Sequence, residues 1–118
     1  MSKLTYGLMV AGALVISTAA AEAKDPPYVG KWAKSTAACK TPSDTIDAPV
    51  ILKVRSFDQF ETHCEFSSVA NQIFRWRAKA RCTVDGSTVN DTLTLTVTGK
   101  TLTTRWGKGG KALVLKRC

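Results

Sequence analysis

The sequence is poor in the residues that catalytic and metal sites use most. Its only histidine is His63, and none of its four cysteines stands in the C-x-x-C spacing of a zinc site. The nucleophile motif G-x-S-x-G and the metalloprotease motif H-E-x-x-H are both absent. Glu61 and Glu65 would stand about 13 Å apart along a strand, which is too far for a pair of glycosidase carboxylates. We therefore expect a non-catalytic protein with no metal and no cofactor.

Long apolar runs are also missing beyond the start of the chain. Residues 8–16 form one apolar run, which is shorter than the roughly 20 residues of a membrane-spanning helix. Lys3 precedes this run, and small residues in an A-x-A pattern follow it and end at Ala23. This order is typical of a secretory signal peptide, with an uncleaved anchor as the alternative. We predict a signal peptide at 1–23, a single domain at 24–118 without a transmembrane segment, and a periplasmic or secreted location.

Acidic residues are scarce in the second half of the chain. Residues 24–74 carry six Lys/Arg and six Asp/Glu, whereas residues 75–118 carry ten Lys/Arg against only Asp85 and Asp91. The second half therefore has a formal net charge of +8, which equals the net charge of the whole chain. In an exported protein this favours an anionic partner, such as an envelope polymer, an anionic membrane surface or an acidic protein patch, and not nucleic acid. The alternative is that the charge only keeps a small protein soluble.

Helical periodicity is absent from residues 24–118, where apolar and polar side chains alternate instead. The clearest alternation runs from Ile73 to Cys82, with cations at positions 75, 77, 79 and 81 and apolar residues between them. A period of two predicts a β-strand. The cations would form an outer row about 20 Å long. Phe74 and Trp76 are predicted to point inward into the core.

Short alternating segments separated by turn residues continue through the chain. Strands are predicted at 28–33, 50–55, 60–66, 73–82, 89–98, 101–106 and 111–118, with turns at 56–59 and 67–72. The threonines of the fifth segment are expected to cover its solvent side, with a flat binding face as the alternative. Seven or eight such strands predict an all-β antiparallel meander, closed as a small barrel or folded as a sandwich.

The even number of cysteines in an exported chain predicts two disulfides. If seven strands alternate in direction, the end of the last strand lies at the same rim as the segment leaving the first. That placement favours Cys39–Cys118 and leaves Cys64–Cys82 as the second bridge. The two other pairings remain open, because cysteine counting does not exclude them.

Charge pairing on the neighbouring strand predicts a register that conflicts with this second bridge. A hairpin centred near Asn71 sets Cys64 opposite Ala78, so a disulfide to Cys82 would need a β-bulge or a later turn. We give the disulfide more weight, because exposed ion pairs contribute about 0 to 1 kcal/mol and a disulfide about 2 to 4. The conflicting register would partly neutralise the basic row through the pairs Glu65 with Arg77, His63 with Lys79, and Glu61 with Arg81.

Two basic segments are candidate partner-binding surfaces. One is the basic row of the strand at 73–82, and the other is the glycine-rich turn at 105–111. In the second segment Trp106 lies beside an arginine, a combination common at interfaces. The candidate partner-binding residues are Arg75, Arg77, Lys79, Arg81, Arg105, Trp106, Lys108 and Lys111.

The motif Gly30-Lys31-Trp32 on the first strand, together with Arg117 on the last, resembles the structural signature of the lipocalin-like (calycin) barrels. In those proteins the first-strand tryptophan packs under a basic side chain from the closing strand. Small exported bacterial barrels that begin this way are similar to periplasmic inhibitors of lysozyme-type peptidoglycan hydrolases and of metalloproteases. The inhibitory motifs S-G-x-x-Y and Y-x-x-x-T-K-G are absent, so no inhibitory residue is assigned by this resemblance.

The resemblance implies a binding protein that caps the acidic cleft of a cell-wall hydrolase. One alternative is a calycin-type carrier of a small apolar or anionic ligand. The other is a basic module that adheres to anionic envelope polymer.

Overall fold

A computed structural model describes residues 24–118, and the signal peptide predicted at 1–23 lies outside the described residues. Eight antiparallel strands follow one another around a closed barrel, with β8 pairing back onto β1. The predicted all-β meander is therefore confirmed in its barrel form. The strands are β1 (Gly30–Ala33), β2 (Val50–Lys53), β3 (Ser56–Gln59), β4 (Thr62–Gln72), β5 (Arg75–Val84), β6 (Ser87–Thr98), β7 (Thr101–Trp106) and β8 (Leu113–Arg117).

Helical structure contributes very little to the described part of the chain. A short 3₁₀ helix (Ala37–Lys40) lies in the long connection between β1 and β2. No helix among residues 24–118 is long and apolar enough to cross a membrane.

The segment at 56–59, predicted as a turn, is strand β3. It pairs with β2 and β4 on either side, and its Phe57 is buried in the core. Polar residues on both sides of a single buried phenylalanine resemble turn composition, which is why the sequence pattern favoured the wrong structure. This extra strand raises the number from seven to eight.

The β4–β5 hairpin turns later than the charge pattern predicted. β4 continues through Gln72, and Gln72 pairs with Arg75 across a two-residue turn formed by Ile73 and Phe74. A register shift between Phe66 and Ser68 adds a β-bulge to the same hairpin. The disulfide required a β-bulge or a later turn, and the hairpin has both. The register centred near Asn71 was therefore wrong.

Inward side chains from all around the barrel pack into one hydrophobic cluster. Trp76 is buried there and contacts Tyr28 edge to face, with ring centroids 5.4 Å apart. The Tyr28 hydroxyl donates to the carbonyl of Val54 at 2.7 Å, and burial raises the pKa of this phenol.

Phe74 does not join this cluster. It lies in the turn and is 69% exposed, so its predicted inward orientation was wrong.

Both predicted disulfides are confirmed. Cys64 and Cys82 are directly paired across β4 and β5, with Cα atoms 4.0 Å apart. The Cα atoms of Cys39 and Cys118 are 5.6 Å apart. The rim argument for Cys39–Cys118 was wrong, because with eight strands β8 ends beside the start of β1 and not beside its end. The bridge forms since the 3₁₀ helix packs against β1, while Cys118 donates its backbone N–H to Lys31.

Arg117 and Trp32 lie at the junction that closes the barrel. The Arg117 guanidinium stands 4.2 Å from the centroid of the buried Trp32 ring. It donates to the carbonyls of Val29 at 3.2 Å and Pro27 at 2.5 Å, while the Trp32 indole N–H donates to the backbone carbonyl of Tyr28 at 2.8 Å. Gly30 allows this approach, because a Cβ there would lie 2.8 Å from Arg117 Nη1. The packing of Trp32 under Arg117 is the contact that the calycin resemblance implies.

Candidate functional site

The basic row lies on the outer face of β5. Burial alternates along this strand, so that its four cations are exposed and Trp76, Ala78, Ala80 and Cys82 are buried. Strand geometry alone produces this separation, since successive side chains point to opposite faces of the sheet. The exposed cations are Arg75, Arg77, Lys79 and Arg81.

Neighbouring strands leave most of this row without an acidic partner. On β4, only Arg81 has a carboxylate opposite it, that of Glu65. The positions opposite the other three cations are Gln72, Ala70 and Ser68 on β4, and Thr96, Thr94 and Thr92 on β6. The partial neutralisation expected from the charge pattern is therefore largely absent, because the bulge and the later turn moved the acids along the hairpin.

Three adjacent strands form a groove on this face. It has a volume of about 680 Å³ and opens on the outer surface of β5, β6 and β7. Arg105 and Lys108 reach it from the β7 side, so the groove joins two basic segments that the sequence presents separately. The groove is lined by Arg75, Arg77, Asp91, Thr92, Thr94, Thr96, Thr103, Arg105, Gly107 and Lys108.

Arg77, Thr94 and Arg105 form a row across the groove. Thr94 on β6 pairs with Arg77 on one side and with Arg105 on the other. Neighbouring strands are about 4.8 Å apart, so the two arginine backbones are about 10 Å apart with a hydroxyl between them. Guanidinium groups bind carboxylates and phosphates through paired hydrogen bonds, and a threonine hydroxyl can donate one more. The row can therefore bind an anionic group from both sides.

Asp91 is the only acidic residue of the groove lining. Its carboxylate accepts the backbone N–H of Thr92 at 2.7 Å. A Cβ at Gly107 would lie 3.3 Å from the Asp91 carboxylate, so the glycine leaves room for this side chain. One carboxylate against four cations leaves the groove lining positive.

Ion pairs formed within residues 24–118 do not involve the groove cations. Lys34 pairs with Asp47 at 3.9 Å, and the other two pairs connect His63 to Asp58 and Glu65. The groove cations are therefore available to an external anion. An incoming anion would not first have to displace a carboxylate held in direct contact with them.

The remaining candidate residues lie apart from the groove lining. Lys79 and Arg81 continue the β5 row beyond it, and Lys111 lies in the β7–β8 connection. Trp106 is half-buried and packs edge to face against Phe57, with centroids 5.4 Å apart. Trp106 therefore covers the core and does not line the groove.

His63 lies in a small exposed cluster on β3 and β4 instead of opposite Lys79. Its Nδ1 is hydrogen-bonded to the carboxylate of Asp58, and its Nε2 lies 3.6 Å from Glu65. The hydrogen bond to Asp58 is the main cause of a raised histidine pKa, and Glu65 adds to it. The sequence reasoning missed Asp58, because this residue was placed in a turn.

Among the groove residues, Asp91 was not expected at a site, and the β6 threonines were given a binding role only as the alternative. The threonine alternation on β6 was visible, but threonine is also a common residue on solvent-facing strands. Only the pairing of β6 between β5 and β7 places those hydroxyls among arginines.

Comparisons of this chain with protein-family models, curated proteins and solved structures find no match.

Proposed function

We propose that this protein is a non-catalytic binding protein of the periplasm or the secreted space, and that its groove holds an anionic partner. The observation that carries the proposal is the charge of the groove lining, four cations against Asp91, with no groove cation in an ion pair within residues 24–118. Cations that lack an internal partner are suited to bind an external anion with little reorganisation. The rigid barrel and its two disulfides hold them in place.

The first candidate partner is the acidic cleft of a lysozyme-type peptidoglycan hydrolase. Such enzymes use a pair of carboxylates on either side of the scissile bond. Arg77 and Arg105, with Thr94 between them, offer two guanidinium groups that can pair with two carboxylates. A protein bound in this way would cover the cleft and inhibit the enzyme. The calycin resemblance carried by Gly30, Trp32 and Arg117 points to the same class.

A second candidate is anionic polymer of the cell envelope, which the continuous row from Arg75 to Arg81 favours. Those four cations extend along about 20 Å of β5, which suits a repeating anionic chain. Binding of this kind weakens steeply with salt, because exposed charges are screened. A small-ligand carrier is less favoured, since the inward side chains are packed into one cluster.

The test is a turbidity assay of cell-wall lysis by lysozyme-type hydrolases. The wild-type protein should slow lysis, and the variant Arg77→Glu/Arg105→Glu should raise the inhibitor concentration needed at least tenfold. The control Lys31→Glu/Lys40→Glu makes the same change in net charge at exposed positions near β1 and should stay within about twofold of the wild type.

No slowing of lysis with any lysozyme-type enzyme would remove the inhibitor proposal. Equal inhibition by wild type and groove variant would show that the groove is not the binding surface. A pull-down from envelope extract then separates the two candidate partners. Polymer captured without a hydrolase, and released by moderate salt, would favour the second candidate.

A further inference from the structure

A second surface at one end of the barrel has properties that the groove does not explain. Three two-residue hairpin turns lie at this end, at residues 54–55, 73–74 and 99–100. We call these turns the upper rim. Ile73 and Phe74 at its centre are 85% and 69% exposed, which is unusual for two large apolar residues side by side.

The apolar surface of the upper rim extends beyond this turn. Val54 in the neighbouring turn is 41% exposed. An open apolar depression of about 380 Å³ lies beside Phe74, with Pro27, Trp76 and Val97 in its lining. Phe74 and the depression beside it form one apolar surface, whereas Val54 lines a separate depression with Lys53, Arg55 and Glu65.

Phe74 is held in a conformation that disfavours its own side chain. Its φ is 61°, a region where a bulky residue is an outlier and where glycine or asparagine is preferred. The core does not require a phenyl ring at this position, because the ring points to solvent. Strain of this kind at an exposed position suggests a function for the side chain.

The charges around the upper rim identify a partner chemistry. Along the chain, the turn residues and their immediate neighbours include Lys53, Arg55, Arg75 and Lys100 and no Asp or Glu, while Glu65 of β4 lies beside the turn at 54–55. The two-residue turns at the opposite end contain Phe60 with Glu61 and Asp85 with Gly86, so these two turns are acidic, although the β7–β8 connection at that end carries Lys108 and Lys111. Exposed apolar side chains with cations beside them suit an anionic lipid surface, because the apolar groups can enter the headgroup region while the cations contact the phosphates.

We propose that the upper rim docks on an anionic lipid bilayer, with Ile73 and Phe74 inserted into the interface. This proposal is independent of the groove's partner, because the groove and the turn use different residues except Arg75. The partner is a lipid surface and not a protein, because Ile73 and Phe74 would enter the apolar part of the interface while the cations contact the headgroup phosphates.

The deciding measurement uses full-chain variants carrying Phe74→Trp or Phe60→Trp and vesicles with brominated acyl chains. Phe60 is a matched control, because it is also an exposed turn phenylalanine with positive φ and lies beside Glu61 in a turn at the opposite end. In vesicles of phosphatidylglycerol and phosphatidylcholine, the added tryptophan at 74 should be quenched and that at 60 should not. Absence of quenching at 74, or equal quenching at both positions, would overturn the proposal.

Vesicle co-sedimentation provides a second readout on the full chain. The variant Ile73→Ser/Phe74→Asn should lower partitioning onto the anionic vesicles at least tenfold, while Phe60→Asn stays within about twofold of the wild type. Each cation near the surface should contribute roughly fivefold, so raised salt should weaken binding. Unchanged partitioning of the Ile73/Phe74 variant, or equal binding to neutral vesicles, would contradict docking by the upper rim.

Discussion

At the scale of single residues, the closure of the barrel depends on the contact between Arg117 and Trp32. The guanidinium covers the indole ring and also donates to two backbone carbonyls of the lead-in to β1. A cation over a tryptophan face is attracted by the ring quadrupole, and the hydrogen bonds orient it. A signature of three residues therefore joins the first strand to the last.

Gly30→Ala should destabilise the protein more than Gly99→Ala. Gly30 has φ 146° and its Cβ would meet Arg117 Nη1, whereas Gly99 has φ 59° and open space around it. We expect a loss of about 2 to 3 kcal/mol at Gly30 and about 1 kcal/mol at Gly99, measured by urea denaturation. An equal or larger loss at Gly99 would mean that the approach of Arg117 is not the decisive contact.

His63 should make stability depend on pH. Its folded-state pKa is raised above 6.5 by Asp58 and Glu65, so the stabilisation is fully present below pH 6.5 and is lost as pH rises through the raised value. The wild type should lose stability between pH 5.5 and 8.5 relative to His63→Gln, by under about 1 kcal/mol because the cluster is exposed. Denaturation at both pH values checks this, and parallel curves for the two proteins would contradict it.

At the scale of elements, the β4–β5 hairpin determines which charged residues lie opposite each other on the outer face of β4 and β5. Its bulge and its turn at 73–74 bring Cys64 opposite Cys82 and carry Glu65 away from Arg77 to Arg81. The hairpin thus fixes the disulfide and leaves Arg77 to the groove. In the sequence, a Cys64–Cys82 disulfide conflicted with the register that the charge pairs favoured. The structure contains the disulfide and not that register.

Phe74→Asn should stabilise this hairpin. Asparagine tolerates positive φ, and the exposed phenyl ring loses little contact, so we expect a gain of about 0.5 to 1 kcal/mol in thermal or urea unfolding. Ile73→Asn is the matched control, because Ile73 lies in the same turn without a positive φ. A similar gain from the control would show that the backbone conformation of Phe74 is not the cause.

At the scale of the whole molecule, two long-range ties close a small domain. The Cys39–Cys118 bridge joins residues 79 positions apart, and β1 pairs with β8 beside it. A bridge across so long a loop removes much freedom from the unfolded chain, which a domain with a modest core needs. The groove and the upper rim are therefore carried on a closed scaffold without free cysteines among the described residues.

Side-chain alternation is a local property, so the chain's own pattern was enough to predict the period of the strands and the outward row on β5, and it favoured the correct cysteine pairing without excluding the other two. The assembled sheet was needed to show that Phe57 lies in a strand, that Phe74 is exposed in a turn, and that Arg105 faces Arg77 across Thr94. These three depend on strand register and neighbours. Register is set by the positions of bulges and turns along the whole sheet, and no short stretch of sequence contains that information.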